Sequence, residues 1–376
     1  AALPRSVLAA TTETTSISAL PKAKFEVSAS TYAWELHDEG IPAVLDNMQS
    51  MAAVNSVYLI ALMHPERRPL SRGEFPHNPV RKTWMAEDAR IYWHPDLKRY
   101  GRIKPKLSDN AWLNETDWMR KFVDETRKRR LKTGAEISHV VVDVERARGE
   151  LAELAERNVD GAITAVRQQL QPLCPNQPDV REYILAVATD LLAQYDIDYL
   201  QSCIISMDED SPPRKKGGCF CSACKAAAKA KGIDLAAIQT AMQKNYAGEP
   251  ARGEWRAFRN ASVADFYAFL HDGMAKLKPS IEIRYNLHQN ERNPLDWGID
   301  LPLLEGKIQS ARIQDYTEQN GRPEQMPAKL AYLKKTRDWA GPGFPLHAAI
   351  GVRLDATPEL IHQGVQYAIE AKMQGI

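Results

Sequence analysis

Residues 197–235, IDYLQSCIISMDEDSPPRKKGGCFCSACKAAAKAKGIDL, set three consecutive carboxylates, Asp208, Glu209 and Asp210, directly after an apolar run. That run, Ile197 to Met207, reads as a strand buried on both faces. The acids therefore stand at its end, where parallel α/β architectures place catalytic groups. Carboxyl groups in such a place suit general acid–base work. One protonates a leaving oxygen, and another attacks or activates water. The bland reading is that they are solvated turn formers; packing alone does not explain three together.

The same loop carries Cys219, Cys221 and Cys224. Thiolates at C-x-C-x2-C suit zinc, with Cys203 or Cys174 as a fourth ligand. In an exported protein two of them could instead close a disulfide, and a third reading leaves all of them reduced. Each makes the cluster a structural device, because no Cys/His/Asn grouping marks a thiol nucleophile. The loop 208–224 is expected to be held by its cysteines and to overhang a cleft. With five cysteines, at least one thiol is free or pairs between chains.

Strands and helices alternate around this segment. Strands are expected at Phe25–Ser30, Ser56–Leu62, Glu136–Val144, Ile197–Met207, Ile281–Leu287, Ile308–Tyr316 and Leu346–Val352. Helices are expected from Ile41 to Ala53, after an Asn114 cap until Gly134 stops the chain, and from an Asp179–Glu182 capping box to Gln194. Another follows Ser262 and Asp265, and a last one runs from a Thr357–Pro358 start to Lys372. Alternation implies a parallel sheet with right-handed crossovers. At 376 residues, the pattern favours an α/β (β/α)8 TIM barrel. It would have long insertions at 63–111 and 145–178 and an eighth strand starting at Gln374–Ile376, with the native chain continuing past Ile376. Residues 1–23 read as a disordered leader or signal-peptide remnant, Val7-Leu8-Ala9 before Ala10-Thr11 resembling a cleavage site. Residues 24–376 read as a single catalytic domain.

The strand ends gather further candidates: Trp34, Glu35 and His37 after the first, His64 after the second, Asp143 and Glu145 after the third. Asn286 and His288 end the fifth, Asp315, Tyr316 and Glu318 the sixth, Arg353 and Asp355 the seventh. Each has an ordinary alternative: His37 could simply pair with Asp38, Asp143 could be an inward barrel residue held by an arginine, and Glu318 could face solvent. Asp315, in Gln-Asp-Tyr on an otherwise apolar strand, is the hardest to assign to packing.

Lys+Arg 49 against Asp+Glu 48 gives a net charge of +1, so nothing points to nucleic acid or an anionic membrane. No long apolar segment suggests membrane insertion. No GxGxxG follows the first strand and no GxxxxGK[ST] occurs, which argues against nucleotide chemistry. No cofactor and no metal-ligand set for catalysis is expected, and the lack of an HxH after the first strand weakens a metal-dependent hydrolase.

Cys174-Pro175-Asn176, PDVREYILAVATDLLAQYDIDYLQ, the acidic strand end and CFCSACKAAAKAKGIDL together resemble a group of bacterial glycoside hydrolase-like TIM-barrel proteins. In these, an acidic strand-four end precedes a Cys-x-Cys-x-x-Cys loop. HPDLKRYGRIKP, residues 94–105, is similar to that group as well. The chain departs from it in having Asp198-Tyr199 where Asp-Gly is usual, and in its acidic cluster, Met207-Asp208-Glu209-Asp210, which is not the group's pattern. The resemblance implies a barrel and a carbohydrate context.

The expectation is thus a periplasmic or secreted glycoside hydrolase with a carbohydrate substrate. Glu209 would be its acid/base, Asp208 a neighbour raising its pKa, and Asp315, then Glu35, the opposing carboxylate. Trp34, Glu35, His37, Asp143, Asn286, His288, Tyr316 and Glu318 would bind the sugar. The rival readings are a catalytically silent glycan- or partner-binding barrel and a metal-dependent hydrolase.

Overall fold

The computed structural model describes residues 25–63, 66–69, 78–81, 83–86, 90–107, 110–138, 141–164, 170–203, 206–210, 216–287 and 294–376. The leader-like segment, His64 and His288 lie outside them.

Seven strands form one parallel sheet in chain order: β1 (Ser28–Thr31), β2 (Ser56–Met63), β3 (Lys132–Ser138), β4 (Tyr199–Cys203), β5 (Glu282–Leu287), β6 (Ser310–Ile313) and β7 (Leu346–Ala348). Every neighbouring pair among these seven is parallel, as crossovers through helices allow, and Arg90–Ile91 adds a short antiparallel pairing to β2. The sheet curls into a TIM-like barrel that is incomplete. Between β7 and β1 stand only the last three residues. Gln374 N–H donates to Leu346 O (2.8 Å) and Ala348 N–H to Gly375 O (3.0 Å) on one side, while Ser28 N–H donates to Ile376 O (2.8 Å) on the other. They lie where an eighth strand was expected, but make only isolated bridges, from Gly375 to Glu26 and His347, and form no strand.

Period-two alternation divides the strand residues. Val57, Leu59, Ala61, Ala135, Leu200, Ile283, Ile313 and Leu346 are buried in the apolar core. The opposite face is polar: Ser56 Oγ meets Tyr199 OH at 2.9 Å, and the Arg284 guanidinium lies 3.8 Å from the centre of the Tyr199 ring. The third strand is earlier than expected, at Lys132–Ser138. Val141–Asp143 belongs instead to a separate antiparallel ribbon with Leu170–Pro172. The apolar run through both was continuous in composition, but the chain leaves the barrel between them.

Helices cover the outside: α1 (Ala33–Glu39), α2 (Ile41–Ala52), α3 (Trp118–Lys128), α4 (Pro178–Gln194), α5 (Ser222–Ala230), α6 (Leu235–Lys244), α7 (Ala251–Ala275), α8 (Met326–Ala340) and α9 (Pro358–Glu370). Asp117, not Asn114, caps α3, accepting the Arg120 N–H at 2.9 Å. That helix ends at Lys128, so Gly134 does not stop it. Thr357 caps α9 as expected, with proline following. No capping box opens α4: Gln177 precedes it and its first residue is Pro178, whose missing N–H needs no partner there. The helix expected after Ser262 starts eleven residues earlier, at Ala251. Ser262 and Asp265 lie inside it. The stretch 93–100 is tied to α4 by buried Asp190, which accepts from Trp93 Nε1 (3.0 Å) and Tyr100 OH (2.9 Å). None of the helices among the described residues is long and apolar enough to cross a membrane.

Candidate active site at the carboxyl end of the barrel

The three acids after β4 have separate fates. Asp208 is buried; its backbone N–H donates to Glu156 Oε2 at 2.8 Å, and its carbonyl accepts from Arg259. Asp210 is buried too. Its carboxylate accepts from Tyr246 OH (2.6 Å) and Arg252 Nη2 (2.8 Å), with Arg256 at 3.6 Å. Backbone bonds from Met207 to Trp297 O (3.0 Å) and from Asp210 to Asp296 O (2.8 Å) fasten the segment. Glu209, between them, is half-buried, and its carboxylate enters none of these bonds. The flanking aspartates anchor the loop.

Asp208 was expected to act on Glu209. The group it faces is Glu156, which is fully buried. Burial, reinforced by the Asp208 charge, pushes the Glu156 carboxyl up to about 8, which favours its protonated form. Glu156 lies in the 145–178 insertion, where no spacing pattern singles it out.

Inside the barrel mouth a hydrogen-bonded row crosses three strands. Gln201 Nε2 of β4 donates to Asn286 Oδ1 of β5 at 2.7 Å, and Asn286 Nδ2 donates to Glu136 Oε2 of β3 at 3.1 Å. Arg312 of β6 bonds the Tyr58 hydroxyl of β2. Burial drives that hydroxyl well above the usual phenol range, Arg312 opposing and the nearby Glu136 and Tyr316 adding to the rise. Asn286 was expected here. Glu136, Gln201, Arg312 and Tyr58 were not singled out. Their signal was the polar residue at every second position of strands otherwise buried.

Glu35 follows β1 on α1. Its Oε2 accepts the Tyr32 N–H (2.8 Å) and the Thr31 hydroxyl (3.0 Å). Burial pushes its carboxyl up to about 7; those two bonds oppose the rise, Glu39 adds to it, and Arg353 opposes it from the loop after β7. Asp315 is buried after β6, its Oδ1 accepting the Thr317 N–H (3.0 Å) and Thr317 Oγ1 (2.5 Å). Tyr316 beside it is half-buried.

Other candidates stand apart from this mouth. Trp34 is fully buried and stacked on Tyr32 with ring centres 4.9 Å apart, a core position. His37 pairs with Asp38 at 2.9 Å and packs on Trp112, the ordinary pairing considered for it. Glu318 is fully buried against Lys329, whose Nζ also donates to Asp315 O (2.9 Å) and Ala349 O (2.8 Å). It does not face solvent; with Lys329 it ties the loops after β6 and β7 together. Asp143, in the antiparallel ribbon, is not at the end of a barrel strand.

The four described cysteines outside β4, Cys174, Cys219, Cys221 and Cys224, are buried free thiols. The Cys174 sulfur lies with those of Cys219, Cys221 and Cys224, all within 4.8 Å of one another, which makes it the fourth member of the group. A cavity of about 590 Å³ lies at the other end of the strands, lined by Arg127, Lys132, Asp198, Lys278 and Glu282. Catalytic groups of barrels stand at the carboxyl ends, so this cavity is not taken as the site.

No family model matches the chain, and no curated protein matches it in sequence. Its fold is similar to the glycoside hydrolase domain of PgaB (BpsB) from Bordetella bronchiseptica, with a TM-score of 0.57 and 16% identity over 93% of this chain and 92% of that one. It is similar also to β-galactosidases from Bacillus circulans sp. alkalophilus (TM-score 0.56, 12% identity, 94% of this chain) and Rahnella sp. R3 (0.56, 14%, 95%). The chain spans 50% of the length of each of those two. The fold is glycoside hydrolase-like.

Proposed function

We propose that this chain is a glycoside hydrolase in which Glu209 is the general acid/base. The observation that carries the reading is the contrast at the end of β4: Asp208 and Asp210 are tied into the scaffold, and Glu209 between them is half-buried with its carboxylate outside those bonds. A proton donor needs such a rigid base and a side chain open to the leaving oxygen.

The opposing carboxylate in this reading is Asp315, aimed by its two bonds from Thr317. Glu35 is next, and its carboxyl at about 7 would exchange protons near neutral pH. Glu209 would protonate the glycosidic oxygen while Asp315 attacks the anomeric carbon or deprotonates the attacking water. Asn286 and Tyr316 would bind sugar hydroxyls. An exported protein, periplasmic or secreted, is part of the same proposal.

The test is turnover of a broad glycoside panel by wild type and variants. Glu209→Gln should lower kcat by about 10²–10⁴-fold, less for aryl glycosides whose leaving group needs no proton, and leave ligand binding by calorimetry intact. Asp315→Asn should be equally slow and, if Asp315 is the nucleophile, regain rate with azide. An unchanged rate for Glu209→Gln would remove it from the mechanism. A sugar bound but never cleaved by wild type would favour the silent-barrel reading.

A further inference from the structure

Four thiols from three separately folded segments meet at one buried point. Cys174 follows the Leu170–Pro172 strand, Cys219 and Cys221 lie in the loop after β4, and Cys224 sits in the first turn of α5. Their sulfurs all lie within 4.8 Å of one another, with Cys174 and Cys224 at 3.4 Å. A zinc–sulfur bond of about 2.3 Å places tetrahedral thiolates about 3.8 Å apart. The group therefore needs only small adjustments to close around one ion.

The surroundings suit charged sulfur. Arg157 N–H and Cys221 N–H both point to Cys219 Sγ at 3.4 Å, and Cys224 N–H points to Cys221 Sγ at 3.5 Å. Asn176 supplies two donors, its backbone N–H to Cys174 Sγ (3.4 Å) and Nδ2 to Cys224 Sγ (3.3 Å). Neutral thiols packed as small apolar groups have no need of so many donors. Thiolates on a metal do, because outer-shell N–H groups orient them and offset their charge.

We propose that Cys174, Cys219, Cys221 and Cys224 are the four ligands of a structural zinc ion. Binding displaces four thiol protons to solvent and leaves a closed tetrathiolate site with no open position for substrate or water. Its role is to fix the loop under the β4 acids. Gly217, two residues before Cys219, passes so close that an added Cβ would stand 2.8 Å from Asp208 O and 2.9 Å from Glu209 O. The ion thereby joins the 145–178 insertion, this loop and α5. The site does not depend on the chain cleaving glycosides.

The experiment is metal analysis of the full chain purified under reducing conditions with zinc present. One zinc per chain is expected, released stoichiometrically by p-hydroxymercuribenzoate, and cobalt exchange should give the intense visible bands of a tetrahedral tetrathiolate. Cys174→Ser should lose or sharply weaken zinc, whereas Cys203→Ser should keep one per chain. Since ligand variants can fail to fold, the wild-type stoichiometry and cobalt spectrum decide by themselves. Folded wild type that takes up no zinc, takes iron in its place, or carries these cysteines as disulfides by non-reducing mass spectrometry overturns the proposal. Zinc lost from Cys203→Ser overturns this ligand set.

Discussion

Gly134 of β3 and Tyr199 of β4 are register partners facing the barrel interior, and the Tyr199 ring fills the space that a Cβ on Gly134 would need. The glycine is there for close approach, and the ring it admits supports Arg284 and bonds Ser56. Gly134→Ala should therefore cost about 1–3 kcal/mol by overpacking. Urea unfolding checks this, and Tyr199→Leu in the same chain should recover part of the loss. A fully stable Gly134→Ala protein would mean the two do not share that space.

Lys329 and Glu318 form a wholly buried ion pair. Removing one member strands the other charge, so Lys329→Met should destabilise by about 3–5 kcal/mol. The double variant Glu318→Gln/Lys329→Met should lose less than the sum of the single changes, since the stranded charge is gone. Additive losses in chemical denaturation would contradict the pairing.

The acids around Glu209 should separate stability from catalysis. Asp210→Asn weakens a buried carboxylate held by Arg252 and Tyr246 and should cost about 1–3 kcal/mol. Glu209→Gln should stay within about 0.5 kcal/mol of wild type. Thermal unfolding of the two variants side by side makes the comparison. A large loss in Glu209→Gln would make that residue part of the scaffold.

Burial sets the pH dependence of stability. Glu35 at about 7 and Glu156 at about 8 are both raised from an ordinary 4.5. Between about pH 4.5 and 8 the unfolded chain sheds protons that the folded chain keeps, so these two groups make stability fall as pH rises. The size is on the order of a few kcal/mol. Glu35→Gln/Glu156→Gln should flatten the slope of the urea midpoint across that window. His347 acts on the acid side: burial lowers it from 6.5 to about 4, so its contribution is lost as pH falls from 6.5 towards 4. A wild-type midpoint flat from pH 5 to 8, matched by the double variant, would sink the assignment of the two glutamates.

The alternation of strand and helix, six of the seven barrel strands to within a few residues, and the thiol spacing were legible in the order of residues alone. Those features are local: apolar runs at strand length, proline after Thr357, three cysteines within six residues. The acid-bearing end of β4 was legible for the same reason, whereas the eighth strand expected at Gln374–Ile376 is only a pair of isolated bridges. The third strand was not, since the run through Ile137 and Val142 carries no mark of the point where the chain leaves the barrel.

Which polar residues share a space follows from the folded chain and not from residue order. Trp34 and Glu318 sit at strand ends like the other candidates, yet one packs into the core and the other is sealed by Lys329, 11 residues away. Glu156 meets Asp208 across 52 residues, and Cys174 meets Cys224 across 50. Asn286 reaches Glu136 across 150. Residue type and spacing state what a side chain can do; burial and the partner brought to it by the curled sheet decide whether it is free to do it.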